Sequence, residues 1–373
     1  MQNGDTSMKY IRMPIEKESP EQLGYDKIKY NLTESSVRDR ALSQLKIDVN
    51  DILLCYGDHI GNPELREIIA SDAGNLKPEH VLVTAGASSA LFIVATSLLK
   101  KGDHMIVIRP NYATNIETPK AIGCEITYLD LSFENQFRLD VKELEPLIRP
   151  ETKYISLTYP HNPTGVMIDP QTMNQVVELV ESKDCYLLFD ETYREMTFDK
   201  ILPVAASLSP RVISVSSLSK TYGIPGIRLG WLICRDKELM HLFLCAKEQI
   251  GICGSVIDEE IGREALSQKA EWLIENNEHI RESFQIVKKW IESEELLEWI
   301  EPRGGCVCFP RIKPEVEINI DRFYDRLNNK YGTYVGPGHW FEQSRRHFRI
   351  GYAWPLIDEL KGGLESLSKA LRD

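Results

Sequence analysis

At 373 residues the chain holds two or three domain-sized units, with ample interior for a core. Its 44 basic against 56 acidic residues leave a net charge of −12, which argues against a broad surface for nucleic acid or anionic membrane but permits a local basic pocket. Eight cysteines lie scattered without a Cys-x-x-Cys pair, so buried free thiols are expected, not disulfides or a metal site.

In chain order, residues 1–30 are polar and lack the apolar stretch of a signal peptide. The longest apolar run, 90–99, is too short and too interrupted by Thr96 and Ser97 to span a bilayer. A cytoplasmic protein is expected. From residue 80 onward, short β-branched or apolar runs (81–83, 105–108, 124–129, 154–158, 185–189, 212–215 and 231–233) alternate with helical patterns at 88–99, 113–122, 141–148 and 170–182. This alternation predicts an α/β fold, a mostly parallel seven-stranded sheet sandwiched by helices. Residues 46–255 are assigned to that large domain and 256–292 to a long charged connecting helix. Residues 293–373, with short strands and helices at 320–329 and 356–371, form a small α+β domain, against which an N-terminal segment, 1–45, packs.

Several short strings carry chemistry. Thr84-Ala85-Gly86-Ala87-Ser88 follows a strand and opens a helix, so small residues there let an anion approach the free N–H groups of the first turn. Tyr112 follows the strand ending in Arg109-Pro110-Asn111, either stacked on a flat ligand or packed in the core. Tyr159-Pro160-His161-Asn162-Pro163-Thr164-Gly165 reads as a rigid turn in which Gly165 permits a sharp bend, with His161 a loop residue. Asp190 and Tyr193 close the buried strand Leu187-Leu188-Phe189, where ligands of parallel sheets bind.

After the strand 212–215 comes Ser217-Leu218-Ser219-Lys220-Thr221-Tyr222-Gly223-Ile224-Pro225-Gly226-Ile227-Arg228. It gathers an amine, hydroxyls and a guanidinium on one turn. An amine able to condense with an aldehyde, beside groups able to hold a phosphate, describes a pyridoxal phosphate site. Arg349, in the apolar string His347-Phe348-Arg349-Ile350, requires an anion.

These strings, in this order over about residues 50–355, resemble those of the fold-type I, pyridoxal-phosphate-dependent class I/II aminotransferases. The resemblance implies that Lys220 carries the cofactor as an imine. Ala87, Ser88, Ser217, Ser219 and Arg228 would hold its phosphate, Asp190 its ring nitrogen, Asn162 and Tyr193 its ring hydroxyl, and Tyr112 its face. Asn162 and Arg349 would take the substrate carboxylate. Tyr56, in Cys55-Tyr56-Gly57 before Asn62-Pro63-Glu64-Leu65-Arg66, matches the family tyrosine that reaches the neighbouring subunit's phosphate, which implies a homodimer. Where many relatives carry a glycine-rich stretch, this chain reads Tyr30-Asn31-Leu32-Thr33-Glu34-Ser35. Glu34 either meets a cationic substrate side chain, as in capreomycidine-synthase-like proteins, or is an exposed or capping residue.

The expected reaction moves the amino group of an L-amino acid to a 2-oxo acid in a ping-pong cycle, the freed Lys220 amine acting as general base. The same site could instead serve a lyase, deaminase or cyclase. A cofactor-sensing DNA-binding regulator would need a basic helix-turn-helix segment, which neither the charge nor a fold beginning near residue 25 suggests.

Overall fold

The computed structural model describes residues 8–373; residues 1–7, assigned above to the N-terminal segment, lie outside the described residues. The first strand, β1 (Tyr30–Leu32), belongs to a small sheet. The next seven are β2 (Val81–Thr84), β3 (His104–Arg109), β4 (Glu125–Asp130), β5 (Thr152–Thr158), β6 (Tyr186–Asp190), β7 (Val212–Ser217) and β8 (Gly230–Cys234). They form one sheet in the order β2-β8-β7-β6-β5-β3-β4, parallel throughout except β8, which runs antiparallel to β2 and β7.

The continuous apolar runs follow from this arrangement, because both faces of each central strand are covered. Successive residues go to opposite faces. Met105, Val107, Leu188, Ile213 and Val215 join one core with Leu91, Val94 and Phe243. Ile106, Ile108, Leu187 and Phe189 join the other with Met173, Val176, Val177 and Val180. These last four recur at helical spacing on Pro170–Ser182, which starts where Asp169 accepts a hydrogen bond from the Thr172 amide at 2.9 Å and Pro170 occupies the first turn. Each fully buried Leu, Ile, Val or Phe contributes about 1.5–3 kcal/mol.

A four-stranded sheet completes the C-terminal part. With β9 (Leu297–Glu298), β10 (Val307–Cys308), β11 (Arg311–Ile312), β12 (Thr333–Pro337) and β13 (Phe348–Gly351) defined, its order is β1-β12-β13-β10, while β9 and β11 pair separately. Strand β1 pairs parallel with β12, Leu32 opposite Val335. The chain before residue 33 is thereby tied to a sheet formed three hundred residues later. Helix Ile357–Arg372 covers this sheet with Leu360, Leu364, Leu367 and Leu371.

The charged stretch 256–292, expected as one helix, is two: Val256–Ser267 and Lys269–Ser293. Gln268 between them leaves the helical conformation and its carbonyl starts the second helix by accepting the Trp272 amide at 3.2 Å. The break lets Trp272 pack with Leu218 and Tyr222, while Ile280, Phe284, Val287 and Ile291 pack in the C-terminal core. The stretch 141–148 shortens to one α-turn, Val141–Leu144, followed by a 3-10 turn containing Pro146, which has no N–H to continue an α-helix. Among the described residues no helix is long and apolar enough to cross a membrane.

Candidate active site

The carboxyl ends of β5, β6 and β7 and the turn after β2 face a cavity of about 400 Å³. Into it come Ala87, Ser88, Tyr112, Asn162, Asp190, Tyr193, Ser217, Ser219, Lys220, Arg228, Arg349 and Glu34. Strings scattered over more than three hundred residues therefore meet in one space, at the strand ends where ligands of such sheets bind.

One end of the cavity is a cradle for an anion. Gly86, with φ +79°, begins the helix Gly86–Leu98, so the first-turn amides of Ala87 and Ser88 have no intrahelical acceptor. Arg228 is held by its Nη1 donating to the Pro225 carbonyl at 2.9 Å. A Cβ on Gly86 would lie 2.8 Å from Arg228 Nη2, and one on Gly230 would lie 2.6 Å from the Ala87 nitrogen. The cradle stays open because neither position carries a side chain. Ser217 Oγ accepts the Ser219 amide at 3.3 Å, leaving its own proton available to a ligand. Guanidinium, hydroxyls and helix amides are the donor set that a phosphate dianion requires.

Asp190, at the end of β6, is buried, and one carboxylate oxygen accepts the Thr192 hydroxyl at 2.6 Å and amide at 3.1 Å. Burial pushes its carboxyl above the ordinary range, opposed by these two bonds. Among the described residues it forms no ion pair. A buried carboxylate that faces the cavity and has no ion-pair partner among the described residues suits a cationic ring nitrogen. With Lys220 in the same cavity and the anion cradle at its end, the residues fit pyridoxal phosphate.

Asn162 and Arg349 form the next wall. Arg349 Nη1 donates to Asn162 Oδ1 at 2.9 Å and Nη2 to the Thr33 carbonyl at 2.5 Å. Arg349 is 4% exposed, its Nε has no partner among the described residues, and the Phe341 ring lies 5.0 Å away. Burial lowers its pKa, opposed in part by the charge of Glu34, because a guanidinium taken out of water is costly in low dielectric. Gly165, at φ +71°, makes the bend that places Asn162; a Cβ there would meet Pro302 at 2.4 Å.

Tyr193 is buried and its hydroxyl donates to Ser35 Oγ at 3.1 Å. Tyr112 faces the cavity rather than the core, its hydroxyl 3.3 Å from Ser88 Oγ. Its backbone is fixed through Asn111, whose Oδ1 takes the Tyr112 amide, Thr158 Oγ1 and Asn115 Nδ2. His161 is buried with Nε2 donating to the Pro110 carbonyl at 2.8 Å and Nδ1 accepting from Thr164 Oγ1 at 2.7 Å. Burial lowers its pKa to about 4, so it is a neutral tie between two loops. Glu34 is half-buried, caps no helix, and accepts from Tyr25 Oη at 3.1 Å and Asn31 Nδ2 at 3.4 Å. Tyr56 stands outside the cavity and is 80% exposed.

Ile15, Glu16, Ser19, Pro20, Glu21 and Trp340 also line the cavity, and sequence reasoning missed them. The first five lie on or between two short helices, Pro14–Glu18 and Pro20–Leu23. Glu18 fastens that segment to Trp340 Nε1 at 2.7 Å and His339 Nε2 at 2.8 Å. Two prolines at helix starts were the available local signal; nothing local points to a contact 322 residues away.

The sheet and cavity fit a protein that binds a phosphorylated aromatic cofactor at strand ends. Residues 29–367 match the family model for aminotransferase class I and II, and the chain belongs to that family. It is 30% identical over 309 residues to arginine–pyruvate transaminase of Pseudomonas aeruginosa, covering 79% of this chain and 77% of that one. It is 27% identical over 361 residues to capreomycidine synthase of Streptomyces vinaceus, covering 93% and 91%. A PLP-dependent aminotransferase structure from Streptococcus suis superposes with TM-score 0.90 at 30% identity over 98% of both chains. That of the PLP-dependent cyclase OrfR gives 0.88 at 25% identity, again over 98% of both. The protein is a fold-type I, pyridoxal-phosphate-dependent aminotransferase.

Proposed function

We propose that Lys220 carries the cofactor and moves the proton in this transamination, and that Arg349 anchors the α-carboxylate of the amino acid and of the 2-oxo acid. The observation that carries the reading is Arg349: a buried guanidinium with one unpartnered nitrogen and no ion pair among the described residues, in the cavity that also holds Lys220.

When bound, pyridoxal phosphate supplies an aldehyde that condenses with amines and a ring that draws off the electron pair left when the α C–H bond breaks. The Lys220 amine, when free, would accept the proton from the donor α-carbon. Arg349, braced by Asn162 and the Thr33 carbonyl, holds the carboxylate and so fixes which α-substituent faces Lys220. Asp190, oriented by Thr192, would meet the ring nitrogen with a negative charge. Asn162 would offer an N–H to the ring oxygen, and Tyr193 an O–H that in this structure is given to Ser35 Oγ. Ala87, Ser88, Ser217, Ser219 and Arg228 would hold the phosphate, and Tyr112 would cover the ring.

The same reading makes the enzyme a cytoplasmic homodimer. Tyr56, like Leu53, Leu54, Ile250 and Ile252, is an exposed large hydrophobic residue, which suits contact with a second copy whose phosphate Tyr56 would reach. A cyclase or lyase outcome is the second reading, favoured by the likeness to capreomycidine synthase and to the cyclase OrfR. Amino-group transfer to an added 2-oxo acid distinguishes the two; ammonia or a cyclised product without transfer would favour the second. For the carboxylate anchor, Arg349→Gln is expected to raise KM for donor and acceptor about 10- to 100-fold. An unchanged KM for both would sink that role.

A further inference from the structure

A second cavity of about 510 Å³ adjoins the first, sharing Glu21, Glu34, Ser219, Lys220 and Pro225 with it. Tyr25, Asp39 and Arg40 line the second but not the first. With Lys220 committed to the cofactor, the charge left in the chamber is one-sided. Arg40 is engaged elsewhere, bonded to Glu275 at 2.8 Å with its plane 4.3 Å from the Trp272 ring centroid. Glu21, Glu34 and Asp39 form no ion pair among the described residues. They meet neutral donors instead: Tyr25 and Asn31 on one oxygen of Glu34, and Trp354 Nε1 on Asp39 at 2.9 Å. The second oxygen of Glu34 has no donor among the described residues. Burial and the charges of Glu34, Glu21 and Asp39 together push the Tyr25 phenol up, so all three carboxylates lie within electrostatic reach of its hydroxyl.

A second, independent feature indicates what passes between the chambers. Arg349, buried with Nε unpartnered, stands in the first cavity. An amino acid held there by its carboxylate has Lys220 beside its α-carbon, and Lys220 lines both chambers. We propose that the second chamber is the side-chain subsite, and that the preferred amino donor ends in an ammonium or guanidinium that Glu34 receives, with Glu21 and Asp39 behind it. This rests on the reading of Arg349 as the carboxylate anchor. An acidic side chain would enter against three like charges, and a neutral one would displace water from carboxylates without replacing its hydrogen bonds. Tyr25 holds one Glu34 oxygen and aims the other, so it is a positioning residue.

The test compares lysine, ornithine and arginine with norleucine, which has the length of lysine without its charge. In the holoenzyme, kcat/KM for the best cationic donor should exceed that for norleucine at least about tenfold. Glu34→Gln should shrink the ratio several-fold, Tyr25→Phe less, and raised salt should shrink it in the wild type. Whether lysine and ornithine or arginine leads assigns the ammonium or the guanidinium. Binding is measured separately by calorimetry on borohydride-reduced protein, where turnover is blocked. There the best cationic ligand should bind at least about tenfold more tightly than norleucine, and Glu34→Gln should remove the difference. Equal binding of norleucine, or a preference untouched by Glu34→Gln, overturns the subsite. If no donor transfers its amino group, the reaction assignment fails, and the calorimetry still decides the subsite.

Discussion

Lys220, Asp190 and Ser217 stand at or just beyond the ends of strands buried on both faces, whereas Glu16, Ser19, Glu21 and Glu34 face the same cavity from two short helices and the turn after a three-residue strand. The first wall inherits its geometry from a seven-stranded ladder and two hydrophobic cores. The second is held by a few long-range bonds: Glu18 to Trp340 and His339, Ser35 to Tyr193, Thr33 to Arg349, and β1 to β12. Groups that make and break bonds must be fixed closely, so they sit on the rigid wall. Groups that choose among side chains sit on the wall with less packing behind it, which can be altered without disturbing the sheet.

The contrast breaks if changes on the sheet wall prove mild. Lys220→Ala should have the largest effect, lowering turnover by at least about 10⁴-fold and abolishing covalent trapping of the cofactor by borohydride. Near-normal transfer by that variant would refute the assignment. Asp190→Asn follows, with a loss of about 10²- to 10³-fold in kcat, since it removes the carboxylate that would meet the ring nitrogen. The folded protein should retain its unfolding midpoint, so a collapse in stability of similar size would make Asp190 structural.

The loops behind the sheet wall predict a pH effect on stability. His161 has its folded pKa lowered to about 4 by burial, against an ordinary value of 6.5. Between those values the unfolded chain binds the extra proton and the native protein does not, so stability falls as pH drops from about 6.5 to about 4. The loss attributable to this group is on the order of 3 kcal/mol. Urea unfolding at pH 7 and 4.5 should show a steeper fall for the wild type than for His161→Gln. His347, also lowered to about 4, remains in both proteins, so parallel curves would count against His161. On the opposite wall, Glu18→Ala should give the smallest change, a several-fold rise in donor KM with kcat nearly kept. A kcat loss as large as that of Asp190→Asn would erase the distinction between the walls.

Much of the sheet-side wall was legible in the sequence. Strand runs such as 185–189 and 212–215 are apolar because both faces are covered, and Gly86, Asp190 and Lys220 follow such strands at once, so local order nearly fixes their position. Gly165 likewise announces the bend beside Asn162. The break at Gln268 was not legible, for glutamine is a good helix former and only the competing demands of two cores explain it. Nor was the N-terminal wall, whose short helices at 14–23 have little periodicity to read.

The sequence by itself determined the strand–helix alternation, the cofactor chemistry implied by Lys220 and its neighbours, and the need of Arg349 for an anion. Each depends on residues within a few positions of one another, where backbone geometry leaves little freedom. Only the tertiary structure decided that Thr33 and Asn162 brace Arg349, that Glu18 fastens the N-terminal helices to Trp340, and that Glu34 with Tyr25 stands between two chambers. Those contacts join segments up to 322 residues apart. Their partners are chosen by how the two sheets pack, a choice that no local spacing encodes.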